Sequence, residues 1–217
     1  MKTNNVVFLD IDDTFIDENT TFKFINFVVN KFFIKKIYFI LITKFPLSLF
    51  FKFLFKIKLY DSKYLVLRLL NNFEKNKLNI YADNYINNIY DSTKYNKKIL
   101  NLLKEYKIKN YNIIILSNTI DIVSNSIMKK FNFDINYSSS LIFKNSFCKG
   151  KYSNEINKIE IVKKYKLNKN LKSIIITDNI NDYETTKICD YAYIVINKSN
   201  KKFWYSNIKN NLNYEFI

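Results

Sequence analysis

Four short segments of the chain are almost entirely apolar, rich in β-branched residues and bounded by polar residues. They cover residues 5–10, 111–117, 173–178 and 191–196. Segments of this length and composition are typical of strands that are buried on both faces of a parallel sheet. Residues 135–137 have the pattern of a further strand, and residues 141–143 with 146–148 have that of a short hairpin.

Between these strands, apolar residues recur at the spacing of helices. The segments with this pattern are residues 93–107, 121–131 and 154–165. Thr119, Asp121 and Ser153 are the residues expected to cap the second and third of these helices. The alternation of strands and helices predicts an α/β fold, a Rossmann-like doubly wound parallel sheet with helices on both faces.

Residues 19–92 interrupt this alternation, because they have a mostly helical pattern and lie between the first strand and the rest of the predicted sheet. We therefore predict two parts, a core formed by residues 1–18 and 93–217 and a helical cap inserted as residues 19–92. Pro46 is expected to end or kink a helix near Phe45.

Within this insertion, residues 22–57 are rich in Phe, Ile and Leu but carry lysines throughout, so that no charge-free run exceeds seven residues. A transmembrane helix needs about 18 apolar residues, and we do not expect one here. The alternatives are a compact helical cap with its own small core, or a helical hairpin in peripheral contact with a membrane surface. We favour the compact cap, because amphipathic helices most often face a core.

The absence of histidine narrows the chemistry that is available to this chain. The 217 residues include two cysteines and no histidine. Catalytic triads that depend on histidine and zinc sites ligated by histidine are therefore excluded. Two cysteines form neither a disulfide framework nor a metal cluster, and the first apolar run is too short for a secretory signal. We expect a cytoplasmic protein whose chemistry rests on carboxylates, lysines, hydroxyls and amides.

The net charge of +16 has two explanations. One is a surface that binds nucleic acid or another polyanion. The other is composition, because Lys, Asn and Ile have A/T-rich codons and make up nearly half of the chain. Arg68 is the single arginine, although arginine is the residue best suited to bidentate phosphate binding. We favour the compositional explanation and do not expect a nucleic-acid partner.

Acidic and polar residues follow three of the predicted strands. Asp10 and Asp12 follow the first strand, Ser117 and Asn118 the second, and Asp178 and Asp182 the third. The carboxyl ends of parallel strands meet at the edge where ligands bind, so these side chains should surround one site. Carboxylates placed this closely repel one another unless a cation binds or one of them carries a proton. The set suits a nucleophile with a general acid or base and a hard cation such as Mg²⁺.

These motifs resemble those of the haloacid dehalogenase superfamily, and within it the phosphoserine-phosphatase-like branch, over nearly the whole chain. VVFLDIDDT contains a DxDxT motif from Asp10 to Thr14, IIILS ends at Ser117, and IIITDNIND contains a DxxxD motif from Asp178 to Asp182. The remaining motif is a lysine that precedes the last of these strands. Lys158 is preferred over Lys151 for this role, because in this branch the lysine begins the helix that leads into that strand. A helical cap between the first two motifs is a feature of the same branch.

The resemblance implies a phosphatase mechanism. Asp10 would attack phosphorus and form an aspartyl-phosphate, and Asp12 would protonate the leaving alcohol and then activate water. Lys158 would offset the repulsion among the carboxylates, and Thr14 would orient the loop rather than take part in the chemistry.

The resemblance also implies a set of ligands. Mg²⁺ would be held by the Asp10 carboxylate, the Asp12 backbone carbonyl and Asp178, with Asp182 in support. The phosphoryl group would be bound by Ser117, Asn118 and Lys158.

The substrate expected from the resemblance is a small phosphorylated metabolite. Phosphoserine phosphatases carry a glutamate nine residues after the nucleophile for the ammonium of the substrate, and here Asn19 occupies that position while Asp17 and Glu18 are out of register. We therefore do not expect phosphoserine, and the apolar, lysine-rich cap would also suit a lipid phosphate. The alternatives are a phosphotransferase that uses the same residues and a membrane-surface or polyanion-binding protein that keeps the fold without turnover.

Overall fold

The computed structural model describes residues 5–44, 62–153, 155–167, 171–208 and 213–217, and we number their strands and helices in chain order. The strands are β1 (Val6–Leu9), β2 (Asn112–Ile120), β3 (Ile135–Ser139), β4 (Leu141–Lys144), β5 (Phe147–Tyr152), β6 (Ser173–Thr177), β7 (Tyr191–Ile194) and β8 (Tyr214–Phe216). Six of them form a parallel sheet in the order β3-β2-β1-β6-β7-β8, and β4 and β5 form a separate antiparallel hairpin.

The helices lie in two regions of the chain. Those between β1 and β2 are α1 (Thr20–Val29), α2 (Phe33–Lys44), α3 (Ser62–Leu67), α4 (Lys75–Asp91) and α5 (Lys97–Ile108). Those after β2 are α6 (Asp121–Phe131), α7 (Lys158–Lys166), α8 (Tyr183–Thr186) and α9 (Lys201–Asn207). None of the helices in the described residues is long and apolar enough to cross a membrane.

Both faces of the parallel sheet are covered, as the apolar strands predict. Side chains alternate between the faces of a strand, and in β1 Val7 and Leu9 join one buried cluster whereas Val6 and Phe8 join another. The first cluster includes residues of α1, α4, α5 and α6, and the second includes Val162 of α7. The doubly wound α/β architecture that the sequence predicts is therefore confirmed.

Strand β1 lies between β2 and β6, and this position determines where a ligand can bind. Leu9, the last residue of β1, pairs with Ile115 of β2 and with Ile176 of β6. The chain passes from β1 to β2 on one side, and β6 returns on the other side, so a crevice opens beyond the carboxyl end of β1.

The helices α1 to α4 contact one another, and α1 also contacts β2 of the sheet. Their buried residues, such as Phe24 and Leu78, belong to the same cluster as Leu9 and Ile115 of the sheet. Within the described residues the interior of these helices is therefore continuous with that of the sheet, and a cap with its own small core stays a prediction. Pro46 and the predicted break near Phe45 lie outside those residues.

Several helix starts differ from the sequence-based expectation. Helix α5 begins at Lys97, where the side chain of Asn96 accepts a hydrogen bond from the N–H of Ile99. Helix α7 begins at Lys158, capped by Asn157 instead of the predicted Ser153. Helix α6 has the predicted bounds, but its N-cap is Ile120 and not Thr119 or Asp121, the two predicted residues.

The one glycine of the chain lies where two backbones touch. Gly150 in β5 has a φ of +62°, and a Cβ placed on it would lie 2.8 Å from Cα of Arg68. A side chain at this position would be strained by the backbone and would push against the segment that follows α3. The hairpin is thus packed directly on the helices between β1 and β2.

Candidate active site

Asp10 follows β1 and is buried. Its main-chain N–H donates to the carbonyl oxygen of Ile176 in β6 at 3.0 Å. Its Oδ1 accepts a hydrogen bond from the N–H of Ile11 at 3.0 Å and lies 3.2 Å from Nζ of Lys158. These contacts fix the orientation of the carboxylate at the end of the central strand.

Asp12 is held by the amino-terminal end of α1. Its Oδ1 accepts hydrogen bonds from the N–H of Thr20 at 2.8 Å, from the hydroxyl of Thr20 at 2.5 Å and from the hydroxyl of Thr119 at 3.2 Å. Burial, together with the charge of Asp10, outweighs these hydrogen bonds and raises the pKa of Asp12 to about 6. A carboxyl group in this range can give up and take back a proton near neutral pH, as a general acid and base must.

Asp178 follows β6, on the strand next to β1. The hydroxyl of Thr14 donates to its Oδ1 at 2.7 Å and accepts from its N–H at 2.9 Å, and Asn197 donates to its Oδ2 at 3.2 Å. Burial and the charge of Asp10 raise the pKa of Asp178 to about 6. Thr14 therefore orients the loops after β1 and β6 relative to each other, as the sequence analysis expected.

Lys158, the first residue of α7, joins two buried carboxylates. Its Nζ lies 2.7 Å from Oδ2 of Asp182 and 3.2 Å from Oδ1 of Asp10. The hydroxyl of Thr177 donates to the same oxygen of Asp182 at 2.7 Å. Burial lowers the pKa of Lys158, but the two carboxylates more than offset this effect, so the net shift is upward and the amine stays protonated. Lys151, the other candidate, is exposed in β5.

Ser117 and Asn118 lie in β2 and line the same pocket as Asp10. The hydroxyl of Ser117 is buried and lies 3.2 Å from the hydroxyl of Thr119. Oδ1 of Asn118 accepts a hydrogen bond from the N–H of Ile156 at 3.3 Å, and its main-chain carbonyl accepts one from Lys63. Asn118 thus connects β2 to the loop before α7.

These side chains surround a pocket of about 550 Å³. Acidic residues outnumber lysines in its lining, which includes Asp10, Asp12, Asp13, Glu155 and Asp178 but only Lys63 and Lys158. The excess of negative charge and the oxygen donors fit a hard cation such as Mg²⁺. Within the described ranges, no three carboxylate or thiol side chains cluster so as to hold a metal ion, so a cation would also need main-chain or solvent oxygens.

Glu18 does not reach into this pocket as a substitute for a glutamate at position 19. Its Oε1 accepts a hydrogen bond from the hydroxyl of Tyr85 at 2.7 Å, and its Oε2 lies 4.0 Å from Nζ of Lys23. Asn19 lines the pocket and uses its side-chain oxygen to cap α1, accepting from the N–H of Phe22 at 3.0 Å.

The sequence analysis missed several residues that support the site. Thr20 and Thr119 hold Asp12, and the side chains of Asn200 and Trp204 donate to the main-chain carbonyl of Asp178 at 2.8 Å and 3.0 Å. The signal for Thr20 was present, because a Thr after Asn19 at the start of a helical pattern presents both a free N–H and a hydroxyl. Asn200 lies in an asparagine-rich tail, where no pattern separates it from its neighbours.

Comparisons with known proteins agree with this geometry. A family model for haloacid dehalogenase-like hydrolases matches residues 7–187. Among curated protein sequences no match was found. Similar solved structures include a protein of unknown function from Bordetella pertussis Tohama I, with a TM-score of 0.72, 9% identity and coverage of 98% of each chain.

Phosphoserine phosphatases are also among the similar structures. A phospho-aspartyl intermediate analogue has a TM-score of 0.62 and 18% identity, covering 100% of this chain and 94% of that chain. A substrate-bound complex has a TM-score of 0.60 and 17% identity, covering 93% and 91%. At these identities the likeness shows a shared fold, whereas the family model covers most of the sequence. The chain belongs to the haloacid dehalogenase-like hydrolases.

Proposed function

We propose that this hydrolase is a Mg²⁺-dependent phosphatase that cleaves a phosphomonoester through an aspartyl-phosphate on Asp10. The observation that carries the proposal is the contact of buried Lys158 with Asp10 at 3.2 Å, beside Asp12 at the amino-terminal end of α1. Attack on phosphorus needs a fixed carboxylate beside a cation. Protonation of the leaving group needs a second carboxyl group with a raised pKa.

The first step is attack by Asp10 on phosphorus. Because Oδ1 contacts Lys158 and the N–H of Ile11, we assign the attack to Oδ2. The bond from phosphorus to the ester oxygen breaks, and Asp12 gives its proton to the leaving alkoxide. In the second step, Asp12 takes a proton from water, which attacks phosphorus, releases inorganic phosphate and restores the carboxylate of Asp10.

The metal ligands in this proposal are the carboxylates of Asp10 and Asp178 and the main-chain carbonyl of Asp12. When bound, Mg²⁺ would neutralise charge on the phosphoryl oxygens and reduce the repulsion between the two carboxylates. Asp182 supports the site through Lys158, with which it makes its 2.7 Å contact. Thr14 orients the Asp178 carboxylate from the other side.

Phosphate binding in this proposal falls to Lys158, Ser117 and Asn118. The Oδ1 atom of Asn118 already accepts from Ile156, so its Nδ2 is the group that would donate to a phosphate oxygen. Phosphoryl transfer depends mainly on positioning and charge neutralisation, which these groups would supply.

We further propose that residues 19–92 act as a cap that selects the substrate, since Asn19, Thr21 and Lys63 line the pocket. The substrate is a small phosphorylated metabolite. Phosphoserine is disfavoured, because Asn19 brings no charge to its ammonium group and Glu18 is bonded to Tyr85.

The test is a search for the covalent intermediate. The protein is mixed with an aryl phosphate and Mg²⁺ and quenched in acid, and the peptide that contains Asp10 is examined by mass spectrometry for a phosphoryl group that hydroxylamine removes. We expect Asp10→Asn to lack this group and to lose turnover by several orders of magnitude, whereas Asp17→Asn, in an exposed position of the same loop, keeps both. Near-normal turnover by Asp10→Asn would overturn the mechanism.

A further inference from the structure

Helix α2 exposes a continuous apolar face. Phe33 is 78% exposed, Ile34 69% and Tyr38 57%, and Ile37 and Ile40 are exposed as well. At 100° per residue these five side chains occupy one side of the helix. The opposite side is packed on the molecule through buried Phe39 and through Ile42.

The buried side of α2 is firmly attached, so the exposed face has a defined direction. Nζ of Lys35 donates to the carbonyl of Leu69 at 2.8 Å and lies 4.1 Å from the ring centre of Phe73. Lys31, just before the helix, lies 4.4 Å from the ring centre of Tyr81.

An amphipathic helix normally presents its polar side to solvent, whereas α2 presents apolar side chains both to the molecule and to solvent, so this face calls for a partner. Helix α4 shows the usual alternative: its outward positions are mostly Asn and Lys, and Ile80 is an isolated apolar residue among them. Single exposed apolar residues need no explanation, whereas a continuous patch marks an interaction site.

The charge around α2 selects the kind of partner. Residues 19–44 contain five lysines and no aspartate or glutamate. Lys36 is exposed beside Phe33 and Ile40 on the helix, and Lys31 is also exposed. The partner surface that fits this region therefore has negatively charged groups at its boundary and an apolar interior below them. An anionic lipid bilayer has this chemistry.

Other partners fit less well. A second copy related by two-fold symmetry would bring the same positively charged region to both sides of the interface, and residues 19–44 have no acidic residue to offset it. The adjoining residues 45–60 carry three further lysines and no acid, so they offer no charge complement.

We propose that the exposed face of α2 docks in the plane of an anionic membrane surface. Phe33, Ile34, Ile37 and Tyr38 enter the boundary between headgroups and acyl chains, and Lys36 contacts the headgroups. The sequence analysis favoured a compact cap over this alternative, and the outward direction of these side chains reverses that preference.

The test is co-sedimentation of the full chain with vesicles of phosphatidylcholine alone or mixed with phosphatidylglycerol. We expect binding to the anionic vesicles that falls at high salt. The triple variant Phe33→Gln, Ile34→Gln, Tyr38→Gln should lose at least tenfold in binding, while Ile80→Gln on α4 binds as the original protein does. Replacing Lys36 by Gln should weaken binding by about fivefold.

The opposing outcomes are distinct. Failure to sediment with anionic vesicles, or equal binding of the triple variant, overturns the proposal. If the protein is a dimer and the triple variant is a monomer, the face belongs to an interface with a second copy. If the triple variant loses much of its thermal stability, the face is covered by this chain's own residues. Either result also overturns the proposal. The readout is binding, so it does not depend on the proposed phosphatase activity.

Discussion

The catalytic edge and helix α2 depart from the usual distribution of residues in opposite directions. At the edge, Asp10, Lys158 and Asp182 are charged and buried, whereas on α2 Phe33 and Ile34 are apolar and exposed. Buried polar groups and exposed apolar patches are the informative exceptions in a soluble protein. The buried charges compensate one another inside the molecule, and the exposed side chains of α2 point to a partner outside it.

The cost of burial explains why the edge is so thoroughly cross-connected. Each carboxylate removed from water must be paired or hydrogen-bonded, and breaking one buried pair leaves the other charge uncompensated. Thr14, Thr20 and Thr177 supply hydroxyl donors to Asp178, Asp12 and Asp182 in turn. Helix α2 has no comparable constraint on its outer face, so its exposed residues can change without loss of the fold.

The largest effect is expected for Lys158→Met. The variant leaves Asp10 and Asp182 without their shared cation, so the free energy of unfolding should fall by about 3–5 kcal/mol. Turnover should fall by about a thousandfold or more, because the phosphoryl group also loses its cation. Urea denaturation and aryl phosphate turnover measure the two effects. Lys151→Met is the matched control, and an effect equal to that of Lys158→Met would contradict the assignment.

Asp12→Asn should have the next largest effect, and the effect should depend on the leaving group. With an alkyl phosphate, whose leaving alcohol needs a proton, turnover should fall by about 10²–10⁴-fold. With p-nitrophenyl phosphate, whose leaving group is a weak base, the loss should be smaller. Asp17→Asn is the control, since Asp17 is exposed in the same loop and does not line the pocket. Equal losses for both substrates would remove Asp12 from the role of general acid.

Much of the catalytic edge could be predicted from the sequence because its determinants are local. Asp10 and Asp178 each follow a short apolar strand, and strand pairing alone brings the strand ends together. The contact of Asp12 with Thr119 and the bond between Glu18 and Tyr85 could not be predicted. Asp12 and Thr119 are 107 positions apart, and Glu18 and Tyr85 are 67 positions apart. No local pattern encodes such pairs.

Helix starts and short edge strands were harder to predict for a related reason. Ser153 and Asn157 are both good capping residues, and the structure uses Asn157 because Ile156 donates its N–H to Asn118 and is held outside the helix. Strand β8 has three residues and was missed, because its pairing with β7 is decided by the sheet rather than by its own sequence.

Mg²⁺ should have a moderate effect on stability if Asp10 and Asp178 bind it. A ligand that binds only the folded state at a hundred times its dissociation constant stabilises by about 2.7 kcal/mol. The melting temperature should therefore rise with Mg²⁺, and EDTA should abolish phosphatase activity. Asp178→Asn should lose most of the rise, whereas Asp17→Asn should keep it. An unchanged melting temperature together with full activity in EDTA would contradict the metal site.

The smallest effect is expected for Phe33→Ala on α2. Because Phe33 is 78% exposed, its loss should change the free energy of unfolding by no more than about 0.5 kcal/mol. Phe24→Ala on α1 is the matched comparison, since Phe24 is fully buried and its loss should cost about 3–5 kcal/mol. Urea denaturation without vesicles measures both. A loss for Phe33→Ala that approaches that of Phe24→Ala would mean that the outer face of α2 is covered in the isolated protein, and the contrast between the two regions would then disappear.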